Sequence, residues 1–392
     1  MLSKIYINKY ILNEKIGKGS FGEVFRSEYN LDEVIFDDCE TENDSSQNSN
    51  PSSNPHSSSN PNSNSESECV EKDGFNTPKK YTLAIETEDV GFSKMPVHNR
   101  PLAIKRIKDE PRFYKAAQKE IRYLNEINEH NTSDYPIVKL LDSFESENIQ
   151  YLVFEYLETN LYRFYQKNKI SYHNVLKIFL SVARGLEFIH SRNLVHADLK
   201  PENIMLDDNL NYIKIIDLGS AFRLRPMEKR KNFYIQSRYY RSPECCFNLS
   251  VGKPIDIWSL GCIIYEIISK KPLFPAQNVK YDLIYYFTVY LGIPLDCPCG
   301  YNDYFLSAKF REFFRWDKIY SCYKIKVSQP ADLNPNPLGL IQKLDYKLEQ
   351  VYPDVDWYPL KYILTRMVTY DYVKRITATE IVQNTVFNDL LS

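Results

Sequence analysis

The sequence predicts an α+β fold, with a β-rich first part of about 150 residues followed by a mainly helical remainder. Two patterns support this prediction: strand-like apolar runs dominate before Ser171, and apolar residues at helical spacing dominate after it. At 392 residues the chain can hold one large domain or roughly two to three small ones. Its apolar fraction of 43% is enough for a sizeable core.

The first part is predicted to contain strands and one long helix. The strands are predicted at Glu23–Tyr29, Leu102–Lys108 and Ile149–Leu157. The helix begins near Pro111, because Ala117, Ile121 and Leu124 recur at helical spacing after that proline.

Helical periodicity continues through the remainder. One helix is predicted from apolar residues that share a face, namely Val175, Phe179, Val182, Leu186 and Ile189. Residues 256–269 are apolar nearly all round, which is typical of a helix that is buried on every side. Two short runs between these helices, residues 203–206 and 212–217, predict a hairpin.

One segment of the first part is not expected to join the core. Residues 43–68 consist of Ser, Asn and Pro with a few other polar residues. Such a composition cannot bury enough surface to offset its ordering entropy, so we predict a disordered insertion over about residues 37–80. A fold can carry such a loop, because each doubling of loop length costs only about 0.6 kcal/mol.

Composition and charge indicate which partners and which compartment to expect. Lys and Arg number 49 against 51 Asp and Glu, so a nucleic acid or an anionic membrane is not an expected partner. The first residues are too charged for a signal peptide, and no apolar run approaches the ~20 residues that span a bilayer. Eight scattered cysteines without a secretory signal suggest reduced thiols, and hence an intracellular protein in the cytoplasm or the nucleus.

The first chemical motif is a glycine-rich turn. Gly17, Gly19, Gly22 and Val24 form a GxGxxGxV pattern, in which glycines let backbone amides approach phosphate oxygens. Alone, the pattern could be a plain turn or part of a dinucleotide-binding fold. A dinucleotide site would open a helix after the third glycine. Here a strand pattern follows, which favours a hairpin lying over ATP.

A second candidate is a lysine–glutamate pair. Lys105 lies on a predicted strand, and Glu120 lies mid-helix with apolar neighbours. Each could be an ordinary surface or helix residue when considered alone. An ion pair between them behind the glycine loop would hold the lysine against the α- and β-phosphates of ATP.

The third candidate is the stretch HADLKPEN followed by DLG. In-line phosphoryl transfer needs a group that accepts the hydroxyl proton, a cation near the transferred phosphate, and ligands for Mg²⁺. Asp198 suits the first task and Lys200 the second. Asn203 and Asp217 offer the hard oxygen donors that Mg²⁺ prefers.

With these motifs the chain resembles the eukaryotic protein kinases over about residues 10–392, apart from the insertion. Ser242–Glu244 is similar to the family's APE motif with Arg375 as its buried partner, and DIWSLG is similar to the helix that anchors the catalytic loop. The resemblance implies a two-lobed fold with an N-lobe over residues 10–156 and a C-lobe over residues 157–392. Residues 295–350 match the position of the insertion of the CMGC group.

Subfamily features resemble the dual-specificity tyrosine-regulated kinases, with the homeodomain-interacting protein kinases as close relatives. Both families lack the arginine that most kinases carry at the position of Ala197, so the activation loop must be ordered without that arginine. The resemblance implies autophosphorylation of Tyr234, with Arg238 and Arg241 binding the phosphate. The alternative is that Tyr234 is a plain packing residue.

Two departures accompany this resemblance. Asn232 replaces the first tyrosine of the related Tyr-x-Tyr pair, so only the second tyrosine can be carried over. Leu218 replaces the phenylalanine that usually follows the metal-binding aspartate. Since leucine is apolar and smaller, we expect a packing cost on the order of 1–2 kcal/mol rather than loss of metal binding.

The resemblance also implies an ATP pocket. Residues matched to the adenine sandwich are Ile16, Val24, Ala103, Met205 and Ile216. Phe154 matches the gatekeeper, the backbones of Glu155 and Leu157 match the hinge, and Asn160 matches the ribose contact.

Taken together, the resemblance implies a monomeric Ser/Thr kinase that uses ATP and Mg²⁺ and acts on protein substrates. Arg241 matches the arginine that shapes the CMGC pocket for proline, so Ser/Thr-Pro sites are expected. The alternative is a pseudokinase scaffold, which Ala197 and Leu218 would suggest. A dinucleotide-binding oxidoreductase is a weaker third reading, because no helix pattern follows the glycine loop.

Overall fold

A computed structural model describes residues 5–19, 21–30, 100–130, 135–225, 234–277, 281–294, 303–326 and 338–387. Three features named from the sequence lie outside these ranges: the predicted insertion at 37–80, Asn232, and parts of the predicted CMGC insertion (residues 295–302 and 327–337).

The first part of the chain forms a six-stranded antiparallel sheet. Its strands are β1 (Ile5–Ile7), β2 (Tyr10–Lys18), β3 (Gly22–Tyr29), β4 (Leu102–Ile107), β5 (Leu140–Ser146) and β6 (Ile149–Glu155). They are ordered β1-β2-β3-β4-β6-β5. One face of the sheet buries a cluster of its own, in which Tyr10, Leu102 and Tyr151 take part.

The strands on either side of the long insertion are direct neighbours. β3 pairs antiparallel with β4, with Ser27 opposite Leu102 and Val24 opposite Lys105. The chain therefore leaves and re-enters the sheet at the same end. The strand predicted at Ile149–Leu157 ends earlier, at Glu155. Leu157 instead packs into the main core, which the sheet, α1 and the helical part share, because the chain crosses there from the sheet to the helices.

Helix α1 (Pro111–His130) covers the other face of the sheet. Its buried side consists of apolar residues such as Ala117, Leu124 and Ile127, together with the carboxylate of Glu120, which is 1% exposed. A carboxylate this deeply buried requires a cationic partner.

The remainder is mainly helical, as the periodicity predicts. Its helices are α2 (Leu161–Lys167), α3 (Tyr172–Ser191), α4 (Pro243–Cys246), α5 (Pro254–Ser269), α6 (Asp282–Leu291), α7 (Asp303–Leu306), α8 (Ala308–Phe313), α9 (Leu340–Val351), α10 (Tyr358–Met367) and α11 (Ala378–Val382). Short strands accompany them: β7 (Thr159–Asn160), β8 (Leu194–Val195), β9 (Ile204–Leu206), β10 (Ile213–Ile215), β11 (Phe222–Arg223), β12 (Phe314–Asp317) and β13 (Cys322–Ile325).

Helix α5 lies at the centre of this part, and every residue from Ile255 to Ile268 is buried. This burial explains the nearly uniform apolar sequence of the helix. The predicted hairpin is present as β9 and β10, which pair antiparallel. Within the described ranges, no helix is both long enough and apolar enough to cross a membrane.

Candidate active site

The loop between β8 and β9 is hydrogen-bonded to a buried carboxylate of α5. Asp256 is fully buried, and its two oxygens accept hydrogen bonds from the backbone N–H of His196 (2.8 Å) and of Ala197 (2.9 Å). The ring of His190 also contacts Asp256, at 2.9 Å. Ala197 has a left-handed backbone with φ 64°. These bonds fix the path of the loop that carries Asp198.

Asp198 lies in a small polar network at the mouth of this loop. Lys200 Nζ donates to Asp198 Oδ2 at 2.6 Å. The hydroxyl of Ser237 donates to Asp198 Oδ1 at 2.7 Å, and Lys200 Nζ lies 3.3 Å from the same hydroxyl. Sequence reasoning assigned no role to Ser237, because a lone serine 39 residues from the aspartate carries no spacing signal.

Asn203 and Asp217 flank the same loop. Asn203 is buried, and its side-chain amide donates to the backbone oxygen of Asp198 at 2.9 Å. Its own backbone oxygen accepts from Ile216 N at 3.0 Å, which ties it to the residue before Asp217. Asp217 has a left-handed backbone with φ 64°, which turns its side chain out of β10. Such a backbone is uncommon outside glycine and is often found at functional sites.

Lys105 connects the sheet, α1 and Asp217. Its Nζ donates to both oxygens of Glu120, at 3.1 and 2.9 Å, and to Asp217 Oδ1 at 2.9 Å. Burial opposes the charge of Lys105, but the two carboxylates outweigh it and hold the pKa of this lysine above its ordinary value.

The shared ammonium favours the ionised form of both carboxylates, yet the net shifts of their pKa values differ in direction. Burial raises the pKa of Glu120 despite Lys105. Burial also opposes the ionised form of Asp217, but the Lys105 ammonium overcomes it and lowers the pKa of Asp217. Of these two carboxylates, Asp217 is therefore the one whose ionised form is favoured, and a metal ligand must be ionised.

Leu218 and Gly219 fill the space beneath α1. Leu218 is 1% exposed and packs in the main core. A Cβ at Gly219 would lie 3.2 Å from Asp217 Oδ1 and 3.4 Å from Glu120 Oε2, so a larger residue would press on the ion pairs. The burial of Leu218 shows that the site accommodates a leucine.

The glycine-rich turn joins β2 and β3 above this network. Gly17 pairs with Val24, and Gly19 N donates to Gly22 O at 2.8 Å. A Cβ at Gly22 would lie 2.0 Å from the backbone oxygen of Arg106, whereas a Cβ at Gly19 would meet nothing within 4 Å. Close strand approach therefore demands glycine at position 22, while Gly19 borders open space.

Comparison with known proteins identifies the family of this chain. A family model described as the protein kinase domain matches residues 93–387. The chain belongs to the protein kinase family. The match begins after the glycine-rich turn, yet Phe21 of that turn lies beside Lys105, with its ring centroid 5.5 Å from Nζ. The predicted resemblance and the predicted two-lobed α+β fold are confirmed.

Similar curated relatives include members of the two predicted subfamilies. Homeodomain-interacting protein kinase 1 of Mus musculus is 37% identical over 242 residues, covering 59% of this chain and 19% of the relative. Homeodomain-interacting protein kinase 2 of Mesocricetus auratus is 37% identical over 239 residues, covering 58% and 20%. Dual specificity tyrosine-phosphorylation-regulated kinase 3 of Rattus norvegicus is 37% identical over 183 residues, covering 45% and 30%. The chain thus spans about a fifth of the length of the first two relatives.

The residues matched to the adenine pocket of a kinase lie between the sheet and the helical part. Ala103, Met205 and Ile216 are half-buried and pack against the edge of the main core. Ala103 is on the same face of β4 as Lys105, and it pairs with Phe154 on β6. Ile16 and Val24 are also half-buried.

The end of β6 and the segment after it supply the remaining matched residues. The Glu155 side chain accepts from Lys214 Nζ at 2.8 and 2.9 Å, so the side chain is already paired. Leu157 is buried. The side-chain oxygen of Asn160 caps α2 by accepting from Arg163 N at 2.9 Å, which leaves its amide hydrogens as donors.

The residues predicted to take part in activation lie on the segment that precedes α4. Tyr234 is 81% exposed, and the Arg241 guanidinium lies 3.9 Å from the centroid of its ring. Arg241 itself donates to the backbone oxygens of Ile235 (3.0 Å) and Gln236 (2.7 Å). Arg238 Nη1 donates to the backbone oxygen of Gln277 at 2.6 Å. Within the described residues, the hydrogen bonds of both arginines go to backbone oxygens.

The predicted partner of the APE motif is present. Arg375 donates to both oxygens of Glu244, at 2.6 and 3.1 Å, and both side chains are almost fully buried. This ion pair fixes α4 against the helices behind it.

The donor set fits a magnesium nucleotide. Lys105 occupies Asp217 Oδ1, and no hydrogen bond from the described residues reaches Oδ2. Asn203 points its amide nitrogen at Asp198, which leaves its side-chain oxygen available to coordinate a metal ion. The described residues contain no group of three or more His, Cys, Asp or Glu that could hold a metal alone. A Mg²⁺ ion would therefore need oxygens of the nucleotide as well.

Proposed function

We propose that this chain is an ATP-dependent protein kinase that transfers the γ-phosphate to Ser or Thr of protein substrates. The single observation that supports this best is Lys105, whose ammonium bonds Glu120 and Asp217 at the same time. That contact ties the sheet, α1 and the DLG motif together in one arrangement. It is the arrangement that phosphoryl transfer requires of a kinase.

The chemistry assigned to the chain needs few groups. Asp198 orients the substrate hydroxyl and accepts its proton, and Lys200 offsets negative charge on the transferred group. Asn203 and Asp217 hold Mg²⁺, which shields the phosphate oxygens when it is bound. Lys105 positions the α- and β-phosphates beneath the glycine-rich turn. The adenine lies among the half-buried residues at 16, 24, 103, 205 and 216.

A preference for proline after the target residue is supported by one backbone group. Gln236 has a left-handed φ of 65°, and its carbonyl accepts from Arg241 at 2.7 Å. That carbonyl is occupied, so a substrate N–H at the following position would find no acceptor there. Proline has no N–H and loses nothing.

Autophosphorylation of Tyr234 is proposed on its exposure and its two neighbouring arginines. The ring is already stacked on Arg241, and the hydrogen bond that Arg238 makes within the described residues is to the backbone oxygen of Gln277. A phosphate on the hydroxyl would compete for these guanidiniums with charge-assisted bonds. The name of one relative, dual specificity tyrosine-phosphorylation-regulated kinase 3, supports the same proposal. We further propose that the kinase acts as a monomer inside the cell.

The test is phosphate transfer from labelled ATP-Mg²⁺ to a Ser-Pro peptide. Asp198→Asn should lower kcat by about 10²–10⁴-fold, because the group that accepts the proton is lost. Asp208→Asn, an exposed aspartate on the turn after β9, is the matched control and should leave kcat unchanged. A Ser-Ala peptide tests the preference for proline, and mass spectrometry of Tyr234 in both variants tests autophosphorylation. Absence of turnover from folded, ATP-binding protein on several substrates would favour the scaffold alternative.

A further inference from the structure

Gln236 has a conformation that its surroundings must hold in place. The side chain is 6% exposed, and the backbone is left-handed with φ 65°. Glutamine gains nothing locally from such a backbone, and a buried amide costs free energy unless all its groups are bonded. The residue is therefore placed by tertiary contacts rather than by its own preference.

The amide nitrogen of Gln236 faces three acceptors. Nε2 lies 2.8 Å from Ser259 Oγ, 2.9 Å from the backbone oxygen of Ile255 and 3.2 Å from that of Tyr240. Ser259 also donates to the Tyr240 oxygen, at 2.8 Å. The first turns of α5 are thereby linked to the short turn at Arg238–Tyr240.

The amide oxygen faces three donors. Oε1 accepts from the backbone N–H of Ser242 at 3.0 Å, from its hydroxyl at 3.0 Å, and from the thiol of Cys245 at 3.1 Å. The reverse orientation of the amide would place its NH₂ against the Ser242 N–H, so this network fixes the orientation. The oxygen thus holds the start of α4.

The backbone of Gln236 completes the connection. Its N–H donates to the oxygen of Ala197 at 3.0 Å, and its carbonyl accepts from Arg241. The next residue, Ser237, donates to Asp198 Oδ1. The position of Gln236 therefore determines where Ser237 meets the catalytic aspartate.

We propose that Gln236 is the positioning residue that orders the substrate-binding part of the activation segment. It would do so in place of the arginine that most kinases carry at the position of Ala197. This inference rests on the proposed function, since it assigns the regulation of that same site. The bonds of the side chain are neutral and internal, and Tyr234 is 81% exposed two residues away. The segment is accordingly ordered before any phosphate is added to Tyr234.

The experiment uses the full chain after phosphatase treatment. Hydrogen–deuterium exchange is measured over residues 236–246 and over α3, together with kcat and the KM for ATP. Gln236→Leu removes the amide at similar size, and Gln236→Glu places an oxygen against the three acceptors. Gln350→Leu, exposed on α9, is the matched control. Tyr234→Phe tests whether a phosphate on Tyr234 is needed to order the segment.

We expect Gln236→Leu and Gln236→Glu to raise exchange over residues 236–246 while α3 stays protected. kcat should fall by about 10–100-fold, as for a displaced catalytic contact, with the KM for ATP within about twofold. Tyr234→Phe should exchange like the wild type. Wild-type exchange and kcat in Gln236→Leu would overturn the proposal, and so would an exposed segment in Tyr234→Phe.

Two further outcomes separate the possible failures. If Gln236→Leu unfolds, so that α3 also exchanges, Ser259→Ala decides: it removes one acceptor and should raise exchange in the same segment only. Unchanged exchange in Ser259→Ala would then overturn the proposal. If the wild type lacks turnover, the proposed function fails, while the exchange measurements still test Gln236.

Discussion

Gly22 and Gly19 belong to one turn, but a side chain would meet different surroundings at the two positions. A Cβ at Gly22 would lie 2.0 Å from the backbone oxygen of Arg106, so the two strands would have to separate. We expect Gly22→Ala to lower the free energy of unfolding by about 1–3 kcal/mol. Gly19→Ala, with nothing within 4 Å, should change it by less than about 0.5 kcal/mol.

Urea unfolding of the two variants beside the wild type checks this prediction. Equal losses at both glycines would mean that crowding by β4 is not the reason for glycine at position 22. In that case the backbone freedom of the turn, shared by both positions, would be the determinant.

The charge on Lys343 destabilises the folded protein to an extent that depends on pH. Its side chain is half-buried, and this burial together with Lys347 and Lys271 lowers its pKa from 10.5 to about 8. Nζ donates to the hydroxyl of Tyr290 at 2.8 Å, but no carboxylate of the described residues pairs with it. Below about pH 8 the folded protein must therefore hold an unfavourable charge.

We expect Lys343→Met to stabilise the protein at pH 7 by about 1–2 kcal/mol, allowing for partial solvation of the amine. Between about pH 8 and 10.5 the unfolded chain keeps a proton that the folded protein has released, so wild-type stability rises with pH. The advantage of the variant should shrink accordingly. Urea unfolding at pH 7 and at about pH 9.5 measures it, and an equal difference at both would contradict the shifted pKa.

At the scale of elements, α1 and β4 meet through the Lys105–Glu120 pair. Glu120→Gln keeps the size of the side chain but removes the charge that holds the ammonium. Lys105 would then be held by Asp217 alone, away from the phosphates it is proposed to contact. We expect kcat/KM for ATP to fall by about 10–100-fold with the fold retained.

Steady-state kinetics against ATP concentration checks this prediction. Glu129→Gln is the control, because Glu129 lies on the same helix but is exposed. If both substitutions lowered kcat/KM equally, the effect would belong to the net charge of α1 and not to the ion pair.

At the scale of the whole molecule, the insertion joins two strands that already pair. Residue 30 follows β3 and residue 100 precedes β4, and the two strands run side by side. Replacing residues 31–99 with a short Gly-Ser linker should leave the sheet intact and raise the free energy of unfolding by about 1–2 kcal/mol, because a shorter loop loses less entropy.

Unfolding and turnover of this deletion variant are the measurements. A variant that keeps residues 31–99 in scrambled order serves as control for loop length. Loss of stability or of kcat in the deletion, with both retained in the scrambled chain, would show that the length of the segment matters. Losses in both would assign a role to its particular sequence.

Much of this protein is determined by local features of its sequence. The helices α1 and α3 follow from apolar spacing, since the burial of a helical stripe requires that spacing, and α5 follows from a sequence that is apolar nearly all round. The HADLKPEN and DLG motifs are each a few consecutive residues, so they can be recognised without knowledge of the tertiary structure. Family membership could therefore be predicted from the amino-acid sequence alone, and the family match confirms it.

Other features arise only where distant segments meet. Phe21 of the glycine-rich turn lies beside Lys105 although the insertion separates the two in the chain. Ser237 reaches Asp198, and Gln236 joins α4, α5 and the catalytic loop. Serine and glutamine are common residues without a spacing pattern, so the sequence carries no signal for their roles. Their hydrogen bonds have value only when folding removes competing water and fixes the partners. The tertiary structure alone therefore decided them.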